Sequence, residues 1–262
     1  MPLPGEIFIT EEKTMVNEAT ISRLYEMGFS TMAASYRQQM GDSGINKLSF
    51  DEWLGLLVDT EWTSRKNNRL KRAIRSAGFP ISNACVEDIE YRADRKLDRE
   101  QILQFDTCKY IDERHNIIIL GATGAGKTYL SCALGMSACR HFHSVKYIRL
   151  PDLLDELLVA RGEGIFKNVM QGYKKIALLI LDEWLLTPLT ISESRDLLEI
   201  VEARSGRCST IFSSQFDPAG WQVKIGEGPL AESILDRIIH DSYTILIGGE
   251  ESMRKYKGIN SK

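Results

Sequence analysis

The octapeptide Gly-Ala-Thr-Gly-Ala-Gly-Lys-Thr at positions 121–128 constrains this 262-residue chain more than any other feature. It matches the pattern G-x-x-x-x-G-K-[ST], follows the apolar run Ile117–Leu120 and precedes a helix predicted over Lys127–Cys139. A glycine-rich turn between a buried strand and a helix directs successive backbone N–H groups inward, and the helix N-terminus adds a partial positive charge. This loop is therefore predicted to bind phosphate groups.

Apolar runs like Ile117–Leu120 recur along the chain. Short β-branched runs of this kind suit strands that are buried on both faces of a sheet. Helical patterns lie between them, and strands that alternate with helices indicate a parallel sheet with helices on both sides. The fold class is therefore predicted to be α/β, with a P-loop core on a five-stranded parallel sheet. The strands predicted besides Asn116–Leu120 are Val145–Arg149, Ala177–Leu181, Thr210–Ser213 and Tyr243–Ile247.

A small all-α domain is predicted over residues 1–78, followed by an α/β domain over residues 79–262 that contains the phosphate loop. Ser49, with Glu52 three residues later, resembles a capping box at the start of a helix. The sequence Gly78-Phe79-Pro80 ends the helical domain, because proline disfavours helix in the residue before it. Glycines 41 and 44 are expected to interrupt its helices. Two further helices are predicted before the first strand, at about Val86–Lys96 and Arg99–Ile111.

Polar residues that suit nucleotide chemistry follow the third and fourth predicted strands. Asp182 and Glu183 come directly after the third strand, at the edge of a parallel sheet where ligands bind. Lys127 would contact the β- and γ-phosphates of ATP, while Thr128 and Asp182 would bind Mg²⁺. Glu183 would polarise an attacking water, and Gln215 would contact the γ-phosphate or that water. Hydrolysis is favoured over transfer of the phosphoryl group.

All eight loop residues are predicted to bind the nucleotide: Gly121, Ala122, Thr123, Gly124, Ala125, Gly126, Lys127 and Thr128. No N-K-x-D sequence follows the loop and no L-S-G-G-Q run occurs, which disfavours a GTPase and a transporter-type ATPase. Trp184, which directly follows the two acids, is a candidate for contact with a neighbouring subunit.

One segment of the chain is strongly basic, although the formal net charge is −3. From Trp62 to Pro80 there are six cations and no Asp or Glu. On a helix, the cations at 65, 69, 72 and 75 fall along one side, and contacts to phosphate position DNA without reading its bases. The predicted DNA-binding residues are Arg65, Lys66, Arg69, Lys71, Arg72 and Arg75.

The five cysteines are scattered and form no C-x-x-C pair, so neither a disulfide framework nor a thiolate zinc site is predicted. No run of about 18 apolar residues occurs, and Met1–Thr14 lacks a basic region followed by an apolar stretch. We therefore expect a cytoplasmic protein that does not associate with membranes.

Several segments together resemble the AAA+ ATPases, and more narrowly the IstB-like transposition helper ATPases, relatives of the DnaC helicase loaders. The likeness covers nearly the whole chain, and its amino-terminal patterns support the narrower assignment. Those patterns are L-x-x-M-G-F-x-x-M-A-x-x-Y-R-x-Q over Leu24–Gln39, S-F-D-E-W-L-x-L-L-V-D-x-E over Ser49–Glu61 and A-G-F-P over Ala77–Pro80. The others are G-A-T-G-A-G-K-T-Y-L over Gly121–Leu130, L-L-I-L-D-E-W over Leu178–Trp184 and L-D-R-I-I-H over Leu235–His240.

The resemblance implies an ATP-dependent homo-oligomer that binds double-stranded DNA and recruits or stimulates the transposase of its element. It also implies that ATP lies between subunits, with Gln215 as a sensor and Arg237 as an arginine finger. Arg254 is a candidate second sensor. Two residues depart from the family pattern, because Trp184 replaces a typical Gly and Gln215 replaces the Asn of loaders. The 15 residues after Ile247 are too few for a separate C-terminal lid domain.

Two other functions stay open at this point. A DnaC-like helicase loader would use the same ATPase core, although the two departures weaken this alternative. A nucleotide-bound scaffold that binds DNA without catalysis would also keep the phosphate loop, but it would not require Asp182 and Glu183.

Overall fold

The computed structural model describes residues 17–40, 48–226 and 228–249. The chain divides into two compact units, with the division between Lys71 and Arg72. Each unit is described separately below. The domain boundary predicted at residue 78 from the sequence stays a prediction.

The amino-terminal unit consists of helices. They are α1 over residues 17–26, α2 over Ser30–Gln39 and the first part of α3, which runs over Phe50–Ala77. The predicted capping box is confirmed, because the Ser49 N–H donates to the Glu52 carboxylate (2.8 Å) and the Glu52 N–H donates to Ser49 Oγ (3.3 Å). Helix α3 ends immediately before Gly78, as predicted. The expected interruption at glycines 41 and 44 lies outside the described residues.

The segment between α3 and the sheet differs from the prediction. The helix predicted over Val86–Lys96 is wrong, because only Ala93–Arg95 forms one short 3₁₀ turn. The side chains of Val86 and Ile89 are buried although this segment consists of bends and turns. Lys96 adopts a positive φ of 53°, which ends the 3₁₀ turn. The second predicted helix is divided by a positive φ of 60° at Cys108. It consists of α4 over Arg99–Asp106 and α5 over Lys109–Asp112.

Five parallel strands form the sheet, and all five predicted strands are confirmed. They are β1 (Asn116–Gly121), β2 (Val145–Arg149), β3 (Leu178–Asp182), β4 (Ser209–Ser214) and β5 (Ser242–Ile247). Their order in the sheet is β2-β3-β4-β1-β5. This order brings the carboxyl end of β1, which leads into the phosphate loop, next to the end of β4. The end of β3 lies on the other side of β4 and also pairs with β2.

Helices cover both faces of the sheet. Helix α6 (Lys127–Arg140) packs closely on one face, since a Cβ on Gly135 would lie 2.8 Å from Ile180 Cδ1. The other face packs on helices that follow β2, β3 and β4. These are α7 (Leu150–Gly162), α8 (Phe166–Lys175), α9 (Ile191–Arg204), α10 (Pro218–Ile225) and α11 (Pro229–Ile239).

Trp184 belongs to the core on this second face. Its side chain is completely buried, with its ring 4.6 Å from that of Phe212 and 5.9 Å from that of Trp221 between centroids. The expectation that Trp184 contacts a neighbouring subunit is therefore wrong. Among the described helices, none is both long and apolar enough to span a membrane.

Candidate nucleotide-binding site

The phosphate loop connects β1 to α6 as the sequence predicts. Gly124 and Gly126 have positive φ values of 81° and 96°, which favour glycine over residues with a Cβ. Gly121 is required for another reason, because a Cβ there would lie 2.8 Å from the Ile247 carbonyl oxygen. No side chain of the described residues caps the N-terminus of α6, so its first N–H groups are available to an anion.

Lys127 is folded back on its own loop. Its Nζ donates to the carbonyl oxygens of Gly121 (2.8 Å) and Ala122 (3.0 Å). Burial lowers the pKa of Lys127, and the nearby charge of Asp182 opposes that shift. Within the described part of the chain, no carboxylate forms a salt bridge with this ammonium group. A phosphate group would supply the missing anionic partner.

Asp182 ends β3 and is 3% exposed. Its Oδ2 accepts hydrogen bonds from Thr128 Oγ1 (2.6 Å) and from the Tyr147 hydroxyl (2.8 Å), and its Oδ1 accepts one from the Glu183 N–H (2.9 Å). The structure thus brings together the two predicted magnesium ligands. Tyr147 was not predicted, because it lies on β2 and no motif connects it with Asp182. Burial, and then the charge of Asp182, raise the pKa of the Tyr147 phenol well above its usual range.

Glu183 follows with a positive φ of 53°, which is uncommon for a residue with a Cβ. Its Oε2 lies 3.7 Å from a guanidinium nitrogen of Arg149, and the side chain of Glu183 is 39% exposed. The same guanidinium forms two hydrogen bonds with the Asp152 carboxylate, at 2.7 and 2.8 Å. Sequence reasoning also missed Arg149. The signal that could have revealed both residues is the adjacency of β2 and β3, whose ends pair Arg149 with Asp182.

Gln215 lies directly after β4, and its Oε1 accepts a hydrogen bond from Thr123 Oγ1 at 2.8 Å. The end of the fourth strand therefore meets the phosphate loop, as the strand order requires. One pocket is lined by seven of the predicted residues and three others: Thr123, Gly124, Lys127, Thr128, Asp182, Glu183, Trp184, Leu186, Ser213 and Gln215.

A second pocket of about 100 Å³ lies beside the loop, and sequence reasoning missed it. Arg95 is 7% exposed and donates to the carbonyl oxygens of Ala125 (2.8 Å) and Glu90 (3.1 Å). Its buried Nε has no hydrogen-bond partner in the part of the chain that the structure describes, and burial lowers the pKa of its guanidinium. The pocket is lined by Asp88, Ile89, Glu90, Arg95, Leu97, Gly126, Tyr129 and Leu130. Because Arg95 holds Ala125, this pocket and the phosphate loop are connected.

Comparisons with known proteins identify the family. The model of the family described as IstB-like ATP binding protein matches residues 22–261. The chain belongs to the IstB-like ATP-binding family. An insertion sequence ATP-binding protein of Sinorhizobium fredii is 38% identical over 93% of this chain and 99% of its own length. The ATP-binding protein of insertion sequence IS1162 from Pseudomonas fluorescens is 40% identical over 77% of this chain and 87% of its own.

Solved structures place the family's fold among the AAA+ proteins. The DnaC helicase loader matches with a TM-score of 0.52 and 16% identity, over 63% of this chain and 97% of that one. AMPPCP-bound DnaA from Aquifex aeolicus matches with a TM-score of 0.57 and 18% identity, over 68% of this chain and 54% of DnaA. At these identities the likeness shows the fold alone, and it confirms the predicted α/β AAA+ class.

The arginine finger that the IstB-like resemblance implies lies away from this pocket in the single chain. Arg237 on α11 donates to the Ser233 carbonyl oxygen (2.9 Å) and to the Glu202 carboxylate (3.1 Å). It is not among the residues that line the phosphate pocket. Arg254, the candidate second sensor, lies outside the described residues.

The six predicted DNA-binding cations of the IstB-like chain are all exposed on α3. Arg65 has partners within the helical unit, since its Nε donates to Glu61 Oε1 and its Nη2 to the Gly28 carbonyl oxygen, both at 2.7 Å. Its guanidinium also lies 4.7 Å from the centre of the Phe29 ring. Arg65 therefore connects α3 to the turn between α1 and α2, besides adding to the positive charge.

Proposed function

We propose that this chain is an ATP-hydrolysing, DNA-binding helper of transposition. In this proposal it assembles on target DNA and recruits or stimulates the transposase of its element. The observation that carries the proposal is the meeting of Lys127, the Thr128–Asp182 pair and Glu183 in one pocket. The family description and the names of relatives at 38% and 40% identity support ATP binding and a connection with insertion sequences.

The donor set of the pocket fits Mg²⁺. This cation prefers oxygen ligands, and a hydroxyl and a carboxylate oxygen lie 2.6 Å apart at Thr128 and Asp182. Bound Mg²⁺ would neutralise negative charge that develops on the phosphate oxygens. The Lys127 ammonium would exchange its two carbonyl acceptors for phosphate oxygens. In the new bonds both the donor and the acceptor would be charged, whereas the carbonyl acceptors are neutral.

Hydrolysis is supported by the position of Glu183. Its carboxylate is partly exposed at the mouth of the pocket, where it can accept a hydrogen bond from an attacking water. Gln215 would contact the γ-phosphate or that water from the end of β4, which lies between β3 and β1. The nucleoside is expected in the pocket beside Arg95, because Tyr129 and Leu130 provide apolar surface there next to the first turn of α6.

Glu183→Gln tests hydrolysis. The substitution removes a proton acceptor and keeps the size of the side chain, so ATP binding should persist while phosphate release falls about 100-fold or more. Phosphate release and ATP affinity are measured with and without duplex DNA. Glu163→Gln, which changes an exposed carboxylate after α7, is the control and should behave as wild type. Full turnover by the Glu183→Gln protein would remove this role for Glu183.

DNA binding is assigned to the basic side of α3. The cations there would bind the phosphates of duplex DNA and release counterions, so affinity should fall steeply with salt. We expect the Arg69→Ala, Arg72→Ala double mutant to weaken binding and to reduce the salt slope by about two, one unit for each lost phosphate contact. Arg195→Ala, Arg207→Ala removes two exposed cations elsewhere and is the matched control. Equal affinity of both double mutants at several salt concentrations would contradict the assignment.

Assembly is proposed to depend on ATP, because a ligand favours whichever state binds it better. In the oligomer Arg237 would leave Glu202 and approach ATP on the next subunit, where a guanidinium offsets charge on the phosphoryl group. Mass measurement of the complex with ATP and without nucleotide tests assembly. Arg237→Ala should keep ATP binding and lower turnover, and unchanged turnover in an assembled Arg237→Ala protein would contradict the finger role.

The second candidate is a helicase loader, which the similarity to the DnaC helicase loader fold favours. That similarity has 16% identity, whereas the insertion-sequence relatives reach 38% and 40%, so the transposition helper is preferred. A pull-down with the purified transposase of the same element and with a replicative helicase separates the two. Retention of the helicase alone would favour the loader. A non-catalytic scaffold would show no phosphate release in the hydrolysis assay.

A further inference from the structure

The carboxylate of Asp182 is held by a residue that lies outside every motif of the sequence. Two hydroxyl groups donate to the same oxygen, Oδ2, one from Thr128 at 2.6 Å and one from Tyr147 at 2.8 Å. The second oxygen, Oδ1, accepts from the Glu183 N–H. Three donors from three different parts of the chain therefore fix the rotation of this carboxylate.

Packing alone does not explain the Tyr147 hydroxyl. Tyr147 is 8% exposed on β2, and a phenylalanine ring would fill the same space. Elsewhere the hydroxyls of Tyr91 and Tyr110 are buried without a hydrogen-bond partner among the described residues. A buried phenol in this protein thus does not require a carboxylate. The bond between Tyr147 and Asp182 is therefore a specific feature of the site.

We propose that Tyr147 is a positioning residue for Mg²⁺, because its hydroxyl holds Asp182 Oδ2 against Thr128 and so presets the two oxygens that bind the metal. The inference rests on the proposed ATP-binding function and adds a residue to it. Groups that orient metal ligands commonly change metal affinity by about 10- to 100-fold when they are removed. Without the phenol, Oδ2 would keep one donor in place of two, and the carboxylate would be freer to rotate.

Removing the Tyr147 hydroxyl should weaken the binding of Mg²⁺ and leave metal-free nucleotide binding unchanged. In the absence of Mg²⁺ the triphosphate is bound by Lys127 and by the loop N–H groups, and Tyr147 contacts neither in this structure. A purely structural role for Tyr147 would weaken nucleotide binding with and without metal. The two roles can therefore be distinguished by measuring binding alone, without any turnover.

The experiment compares Tyr147→Phe with wild type by titrating a fluorescent ATP analogue into the full chain, in EDTA and at increasing Mg²⁺. We expect equal affinity in EDTA and an increase of about tenfold in the Mg²⁺ concentration that gives half of the metal-dependent gain in affinity. Tyr173→Phe is the matched control. Its buried hydroxyl also donates to a carboxylate, that of Glu156 at 2.6 Å, but it lies between α7 and α8.

Two further variants sharpen the result. Tyr147→Met removes the same donor with a flexible side chain, so it should show the same change in Mg²⁺ requirement and serves as the test where Tyr147→Phe fails to fold. In an Asp182→Asn background, Tyr147→Phe should have no additional effect on the metal, because the tyrosine acts through that carboxylate.

An unchanged Mg²⁺ requirement in the Tyr147 variants, or an equal loss of affinity in EDTA and in Mg²⁺, would overturn this inference while wild-type ATP binding still supported the proposed function. The same holds for a wild-type protein that binds ATP equally with and without Mg²⁺. Failure of the wild type to bind ATP at all would instead overturn the proposed function.

Discussion

Two cations that form no salt bridge with any described carboxylate lie at opposite ends of the sheet. At the amino-terminal end, Arg204 is 2% exposed and donates to Thr210 Oγ1. The same guanidinium also donates to the carbonyl oxygens of Tyr173, Ile176 and Ser209. At the carboxyl end, Lys127 donates to two carbonyl oxygens of its own loop.

The two ends differ in whether the protein itself supplies partners for the hydrogen-bond donors of the cation. A guanidinium has five N–H donors, and acceptors from α8, its C-cap residue Ile176 and the start of β4 take four of those on Arg204. Burial lowers its pKa to about 10, so it stays charged at neutral pH. The Lys127 end instead combines open helix N–H groups with a cation that lacks an anion. The first end is complete without a ligand, whereas the second requires one.

The largest effect is expected for Arg204→Met. This change removes the guanidinium donor from two buried carbonyl oxygens, those of Tyr173 and Ser209, and from the partly buried one of Ile176. A buried polar group left without a partner costs about 1–3 kcal/mol. We expect the free energy of unfolding to fall by about 4 kcal/mol, at the upper end of single substitutions. Urea unfolding of the nucleotide-free protein measures it, and any folded fraction should bind ATP with wild-type affinity.

Arg207→Ala is the control for Arg204→Met, since Arg207 is exposed three residues further along and its loss should change the stability by less than about 0.5 kcal/mol. If Arg204→Met were as stable as this control, the contrast between the two ends of the sheet would not hold.

Lys127→Ala should show the opposite pattern. We expect ATP affinity to fall about 100-fold, as for a lost hydrogen bond to a charged group, with little change in the stability of the free protein. The pKa of Lys127 is lower in the folded chain than in the unfolded one, so its proton opposes folding at neutral pH. That cost disappears as the pH rises above both pKa values. Removing the ammonium therefore leaves no unpaired charge behind.

Calorimetric titration of ATP and urea unfolding measure both halves of the Lys127 prediction. Lys167→Ala, on the exposed side of α8, is the control and should alter neither. A Lys127→Ala protein that is strongly destabilised without nucleotide would mean that the lysine is a structural cation like Arg204.

The central strands and the phosphate site could be predicted because local sequence determines them. The run Ile117–Leu120 can only be buried on both faces, and the glycines after it can only form a tight turn. The acids Asp182 and Glu183 follow their strand directly, so the parallel sheet brings them to the same edge. In each case the residues are marked by their neighbours in sequence, and the carboxyl ends of β1 and β3 lie at the same edge of the sheet, on either side of β4.

The residues whose environments were not predicted depend instead on contacts that are distant in sequence. Arg95 lies in the segment predicted as the helix Val86–Lys96, but its acceptors are carbonyl oxygens, one of them 30 residues away at Ala125. A carbonyl oxygen leaves no signature in the residue type, so nothing in the sequence marks Arg95 as buried. Tyr147 and Trp184 were missed or misplaced for a related reason. Their environments depend on which strands become neighbours, and strand order is a property of the whole sheet.

The smallest effect is expected for Gln215→Ala, at the same end of the sheet as Lys127. The Gln215–Thr123 hydrogen bond joins two neutral, exposed groups, and such bonds contribute only about 0.5–1.5 kcal/mol. We expect ATP affinity to fall about threefold and the stability to stay the same. Turnover should fall further, by about tenfold, if Gln215 contacts the γ-phosphate or the attacking water. Gln222→Ala on α10 is the control. A loss of ATP affinity near that of Lys127→Ala would make Gln215 a principal phosphate ligand. Unchanged turnover would contradict a sensor role for Gln215, because a sensor must distinguish the states before and after cleavage.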